Sequence, residues 1–336
     1  MTSSQWRKFE DETAIDPDLP IIDTHHHIWS TKASPVFDPY TVDEMIADKS
    51  DCGHNVIATV LVDSHNHYRT TGPEHLRPVG ETEFGEKVAN EAMAKGGRVA
   101  GLCAAIATHA DLCLGALVGE VFDAHIAASP RFRGIRHMLA YLPELPPYYG
   151  ATEEHVSQKK EFREGFAELA RRKLSYEAWA FQPQLGEVLD LARCFPDAMI
   201  VINHLGAPMQ IGRYKGRREE ALADWKKSMA ALATCPNTVV KLGGAYLTQT
   251  EPTAIGWTPR PLSSEEIANN VRDYVLAAID IFSPSRSMFE SNFPVDMLWT
   301  SYGNQWNAYK RIVVDFSDTE RRDLFAGTAR RVYRLK

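Results

Sequence analysis

No Cys-x-x-Cys pair occurs in the 336-residue sequence, and its five cysteines, Cys52, Cys103, Cys113, Cys194 and Cys235, are few and odd in number. A zinc ribbon is thereby excluded, a disulfide framework is disfavoured, and the thiols read as small apolar groups. No stretch approaches the roughly 18 apolar residues of a membrane-crossing helix. Residues 1–16 are polar and acidic, without the apolar core of a leader. The expectation is a cytoplasmic protein with no membrane partner. Basic charge is also short, with 37 Lys and Arg against 44 Asp and Glu for a net charge of −7. Only Arg217-Arg218 and Arg321-Arg322 come close to clustering, so no nucleic-acid partner is expected. Two motifs are missing as well. Without Gly-x-Gly-x-x-Gly after the first strand a dinucleotide fold is disfavoured, and without Gly-x-Ser-x-Gly or a cysteine in a nucleophile context so is covalent catalysis.

What the sequence does contain is alternation. Eight short apolar runs rich in β-branched residues fall at 21–28, 56–62, 99–107, 134–139, 176–181, 199–204, 238–242 and 287–293. Stretches with helical periodicity separate them, for example Phe84, Val88, Ala92 and Met93, or Leu114, Leu117, Val118 and Val121, or Ile267, Val271, Tyr274, Val275 and Ile279. Strand and helix alternating eight times predict an α/β protein whose parallel sheet closes as a (β/α)8 TIM barrel. We read residues 1–336 as one such domain, with 1–18 as an N-terminal extension. The longest irregular stretches, 63–82, 141–157 and 245–263, all follow predicted strands. They are expected as extended βα loops on the C-terminal face, where barrel active sites are built.

The strongest local signal is Ile21-Ile22-Asp23-Thr24-His25-His26-His27. Strand alternation points His25 and His27 the same way, with Asp23 expected on their face and His26 turned toward the helices. Two imidazoles one strand-step apart suit a divalent ion such as zinc or manganese.

The chain resembles the amidohydrolase superfamily, in particular amidohydrolase family 2. The likeness runs from Ile21 to about Arg334. It rests on the first-strand Asp-x-His-x-His, Arg133-Gly-Ile-Arg136, Val201-Ile-Asn-His204-Leu-Gly206, Asn237 through Gly244, and Arg286 through Asp296. The resemblance implies that His25 and His27 bind a metal and that His204 binds metal or moves protons. It also implies a carboxylate at the end of the eighth strand as ligand and general base. There this chain reads Ser291-Asn292-Phe293-Pro294 where relatives read Ser-Asp-Trp-Pro. An amide cannot take a proton as a carboxylate does, so Asn292, Glu290 and Asp296 all stand as candidates for the catalytic position. The fifth run offers Trp179 and Gln182 in place of a histidine. Because the family includes lactonases that work without a metal, metal-independent activity stays open.

Arg136 is the candidate anchor for an anionic substrate, since guanidinium matches a carboxylate bidentately. Lys241, His65, Trp29 and Gln182 are further candidate substrate contacts, and Tyr148, Tyr149, Tyr246, Trp257 and Trp299 could wall a cyclic substrate. The leading expectation is a hydrolase that opens a small carboxylated lactone or ester by water attack, in catabolism of aromatic compounds or sugar acids. Metal-dependent non-oxidative decarboxylation and a non-catalytic acid-binding barrel are the alternatives. The partner is a small carboxylated molecule, and a homo-oligomer is the base-rate expectation for a barrel.

Overall fold

The computed structural model describes residues 12–31, 38–143, 151, 153–244 and 260–336. Eight parallel strands pair in chain order: β1 (Pro20–His26), β2 (Asn55–Val62), β3 (Ala105–Thr108), β4 (Phe132–Ile135), β5 (Ser175–Ala178), β6 (Ile200–Ile202), β7 (Thr238–Leu242) and β8 (Ser287–Phe289). One helix follows each: α1 (Val42–Asp51), α2 (Val79–Lys95), α3 (Val118–Ala128), α4 (Lys160–Arg171), α5 (Leu185–Cys194), α6 (Arg218–Ala233), α7 (Ser264–Phe282) and α8 (Tyr302–Ile312). Two short helices, α9 (Asp318–Arg322) and α10 (Thr328–Val332), end the chain. The expected (β/α)8 barrel is thus the observed one. Among the described residues no helix is long and apolar enough to cross a membrane.

The third and eighth apolar runs are longer than the strands they contain, each for a local reason. Residues 97–104 form a short helical turn and bends before β3, with Gly101 at φ +81° and packed so closely on the Ile57 backbone that a Cβ would not fit. Past β8 the chain leaves regular geometry, since Asn292 adopts φ +54°. It still closes the barrel, because Asn292 N–H donates to the His25 carbonyl (2.9 Å) and His27 N–H to the Phe293 carbonyl (2.8 Å).

Strand faces sort the core into two layers. Ile22, Val60, Val62, Ala105, Val201, Val239 and Met288 pack in one buried cluster with Ala329, Val332 and Tyr333, so the C-terminal helix joins the barrel residues. A larger cluster lies between the strands and the helices. In α7 the predicted stripe Ile267, Val271, Tyr274, Val275 and Ile279 is buried, behind a capping box in which Ser263 and Glu266 satisfy each other's backbone N–H groups. Two predicted stripes are corrected at their edges. Met93 and Leu117 are exposed because Met93 lies off the buried face of α2 and Leu117 belongs to the 3-10 turn before α3, where the 3.6-residue period does not hold. The cysteines divide too: Cys52, Cys103 and Cys235 are buried, but Cys113 is half-buried and Cys194 exposed. Part of the N-terminal extension, Glu12 and Ile15, donates backbone N–H groups to Asn304 and Asn307 of α8.

Candidate active site

The first-strand motif is shaped by a bulge. Asp23 pairs with Thr59 and His26 with Leu61, so β1 has one residue more than β2 over this span and its alternation slips. Asp23 therefore does not share a face with the histidines, which corrects the sequence expectation. Its buried carboxylate accepts from Ser291 Oγ (2.7 Å), Tyr302 Oη of α8 (2.9 Å) and Ser291 N–H (2.9 Å). Burial raises its pKa to about 6, against these hydrogen bonds. Asp23 thus ties β1 to the segment that closes the barrel. His26 turns away, its Nε2 2.9 Å from Thr59 Oγ1.

His25 and His27 do converge, with their Nε2 atoms 3.2 Å apart. His27 Nδ1 donates to the Val62 carbonyl (3.0 Å), which leaves its Nε2 as a lone pair. Trp29 stacks on His27 (centroids 5.9 Å) and donates its indole N–H to the Asp38 carbonyl, so it backs the ring. His25 Nδ1 lies 3.1 Å from Glu290 Oε2 and 3.3 Å from Lys241 Nζ. That Glu290 oxygen is buried with no hydrogen-bond donor of its own. A proton on His25 Nδ1 is one it can accept, and that tautomer puts a second lone pair on Nε2. Burial first, then the cations around them, hold both imidazoles well below their ordinary pKa. Two neutral rings with facing lone pairs are a donor set that fits a divalent ion.

His204, at the C-terminal end of β6, adopts φ +53°, followed by Leu205 at +56°. This uncommon backbone holds the ring over the barrel axis. Its Nδ1 donates to Glu290 Oε1 (2.7 Å), which also accepts its backbone N–H (3.0 Å), so Nε2 is left free to accept a proton. The ring sits between His25 (4.5 Å) and Trp179 (4.8 Å). Gly244, at φ +61°, lies against it, and any Cβ there would collide with the imidazole.

Of the three eighth-strand candidates, Glu290 touches both His25 and His204. Asn292 donates an amide N–H to Asp296 Oδ1 (2.9 Å). Asp296 stands behind it, buried and held also by Gln305 Nε2 (3.1 Å). Burial, with Glu290 nearby, raises Asp296 to about 8, although Asn292 and Gln305 oppose the shift. For a carboxyl raised in the folded state, stability is greatest at low pH and falls as pH rises from the unfolded value through 8. Asp296→Asn is therefore expected to gain stability over wild type between pH 5 and pH 8, by on the order of a few kcal/mol. Denaturant unfolding at both pH values checks this, and parallel curves for the two proteins would refute it.

Arg136, 5% exposed, donates to the Asp63 backbone carbonyl, and its Nη1 lies 3.4 Å from His25 Nε2. Its buried Nε makes no hydrogen bond with a described residue and lies 3.9 Å from Asp63 Oδ2. Lys241 is fully buried and paired with Glu177 Oε2 at 2.8 Å, beside His25. Glu177 also accepts from Asn203 Nδ2 and Tyr333 Oη, both at 2.7 Å. This carboxylate was missed in the sequence, although a lone Glu inside the fifth apolar run was a signal for it. The amide of Gln182 donates to the Ala221 carbonyl and accepts Met209 N–H. His65 lies at the rim, 48% exposed, near His109 (ring centroids 5.1 Å). Trp299 is buried and packs in the large hydrophobic cluster. Tyr148, Tyr149, Tyr246 and Trp257 lie outside the described residues.

A family model described as Amidohydrolase matches residues 22–335. The chain is 33% identical over 339 residues to the uncharacterized protein y4mH of Sinorhizobium fredii (strain NBRC 101917 / NGR234), covering 95% of this chain and 99% of that one. It is 29% identical over 206 residues to an L-fucono-1,5-lactonase of Burkholderia multivorans (strain ATCC 17616 / 249), covering 61% of this chain and 64% of the lactonase. The crystal structure of an amidohydrolase from Burkholderia multivorans with bound zinc matches at TM-score 0.70 and 23% identity, over 94% of this chain and 99% of that one. That last likeness is one of fold.

Proposed function

The chain belongs to the amidohydrolase family, and on that premise we propose that it hydrolyses a small lactone or ester bearing a carboxylate, by attack of water. The observation that carries this reading is that His25 and His204 converge on the buried Glu290, with His27 Nε2 against His25 Nε2 and the buried guanidinium of Arg136 beside them. The partial likeness to an L-fucono-1,5-lactonase supports a cyclic ester as the electrophile.

Each residue has a definable task. His204 accepts the proton of the attacking water at Nε2, while Glu290 holds Nδ1–H and stabilises the imidazolium that forms. The Asn292 carbonyl accepts a hydrogen bond from that water and orients it. Arg136 supplies a fixed cation for the substrate carboxylate. His25 and His27 would hold a divalent ion, zinc or manganese, which supplies Lewis acidity toward the carbonyl.

The test combines elemental analysis with hydrolysis of a panel of carboxylated lactones, before and after chelation. Activity is expected in the loaded protein, to be lost on stripping and to return with Zn²⁺ or Mn²⁺. Failure to open any lactone would overturn the hydrolase reading. Full activity in metal-free protein would instead show the two histidines hydrogen-bonding to substrate directly, and would also end the decarboxylase alternative.

A further inference from the structure

We propose that the barrel rim carries a separate divalent-cation site, built by Asp63, His65 and His109 and distinct from the His25–His27 pair. Asp63 directly follows β2 and His109 directly follows β3, so neighbouring strands deliver both side chains to one edge of the mouth. One ring nitrogen of each histidine and one carboxylate oxygen of Asp63 all lie within 4.8 Å of one another.

Hydrogen bonding determines where the protons sit. Tyr68 Oη donates to Asp63 Oδ1 (3.1 Å) and therefore accepts from His65 Nδ1 (3.0 Å). That leaves His65 Nε2 as a lone pair, 3.4 Å from Asp63 Oδ2. His109 Nδ1 donates to the Arg136 carbonyl (2.9 Å), which in the neutral ring leaves Nε2 as a lone pair. The Asp63 carboxylate is fully buried, and its Oδ2 takes no hydrogen bond from an N–H or hydroxyl of the described residues; the carboxyl of Glu81 behind it is its hydrogen-bonded neighbour. Two imidazole lone pairs turned toward a buried anionic carboxylate repel it, and a cation held among the three relieves that repulsion.

The donor set is two neutral imidazoles and one carboxylate, a combination that suits zinc and its neighbours. Tyr68 and the Arg136 carbonyl fix the ring tautomers from behind, as outer-shell partners of metal-bound histidines do. Glu81, whose carboxyl is raised by burial and by Asp63, stands behind the cluster, so the acidic pair contributes one negative charge. The site opens on a cavity of about 330 Å³ lined by His65, His109, Asp111, Cys113, His137 and Lys159 among others. With three protein donors, the remaining coordination positions face that cavity and are open to water or an anionic ligand.

The competing arrangement is a cation-free one, in which His65 protonates to pair with Asp63, or Arg136 Nε, 3.9 Å away, closes on the same carboxylate. The experiment uses full-length protein carrying His27→Ala, so that the inner pair is disabled. It is stripped with chelator and titrated with Zn²⁺, with Co²⁺ absorption as a second readout of imidazole coordination. One Zn²⁺ per chain is expected to bind. Adding His65→Ala or His109→Ala should each weaken that binding at least about tenfold, whereas His137→Ala, in the cavity but outside the donor set, should not. Thermal unfolding of the stripped proteins verifies that each variant folds. Absence of Zn²⁺ binding in the His27→Ala protein, or binding indifferent to His65 and His109, would overturn the proposal. Neither outcome touches lactone hydrolysis, so this site and the proposed reaction fail independently.

Discussion

Glu290→Gln is expected to lower kcat/KM for lactone hydrolysis by about 10²–10⁴-fold, the range over which positioned acid–base groups act. The side chain keeps its volume but loses the charge that holds His204 Nδ1–H and stabilises the imidazolium. It also cannot serve both histidines. If its carbonyl oxygen faces His204, its NH₂ faces His25 Nδ1, which must then accept and place its proton on Nε2, against His27 Nε2. The lone pair offered to a metal disappears with that tautomer. The variant should therefore lose metal affinity as well as turnover, while His204→Ala loses mainly turnover. Steady-state kinetics with metal analysis of the same preparations decide the matter. Activity within about threefold of wild type would mean that Glu290 only fills space.

Lys241→Met is expected to destabilise the fold by about 3–5 kcal/mol, the cost of leaving one member of a buried ion pair without its partner. Both Lys241 and Glu177 are inaccessible to water, and the pair is 2.8 Å apart. Without the ammonium, Glu177 keeps Asn203 and Tyr333 as its side-chain donors among the described residues. The methionine chain can occupy most of the same volume, so the loss is electrostatic rather than a cavity effect. Adding Glu177→Gln should recover a large part of it, since the residual charge is then gone. Chemical denaturation of wild type, both single variants and the double variant closes the cycle. Additive effects would show that the two residues do not act as a pair. The ammonium also neighbours His25 at 3.3 Å, so activity should fall with stability, yet return less completely in the double variant.

Sequence and structure differ most where the chain departs from regular periods. The His-x-His pair was legible because its spacing survives the bulge, but the face of Asp23 was not, because one inserted residue reverses the outward and inward sides. The sequence offers Lys241 as a candidate substrate contact but not its buried ion pair. Its partner Glu177 is 64 positions away in sequence, and only the adjacency of two barrel interiors brings them together. Among Glu290, Asn292 and Asp296 the sequence offered three carboxylate or amide candidates within seven residues. The left-handed turn at Asn292 points Glu290 at the histidines and folds Asp296 behind.

By itself the sequence determined the architecture, since eight apolar runs of strand length separated by helical stripes admit few closed parallel sheets. It also determined the chemistry on offer, three site histidines and a guanidinium at the ends of strands. Only the tertiary structure decided which carboxylate serves which imidazole and which ring nitrogens carry protons. Those choices depend on contacts between strands far apart in sequence, and hydrogen-bond partners at about 3 Å are not encoded in any local period.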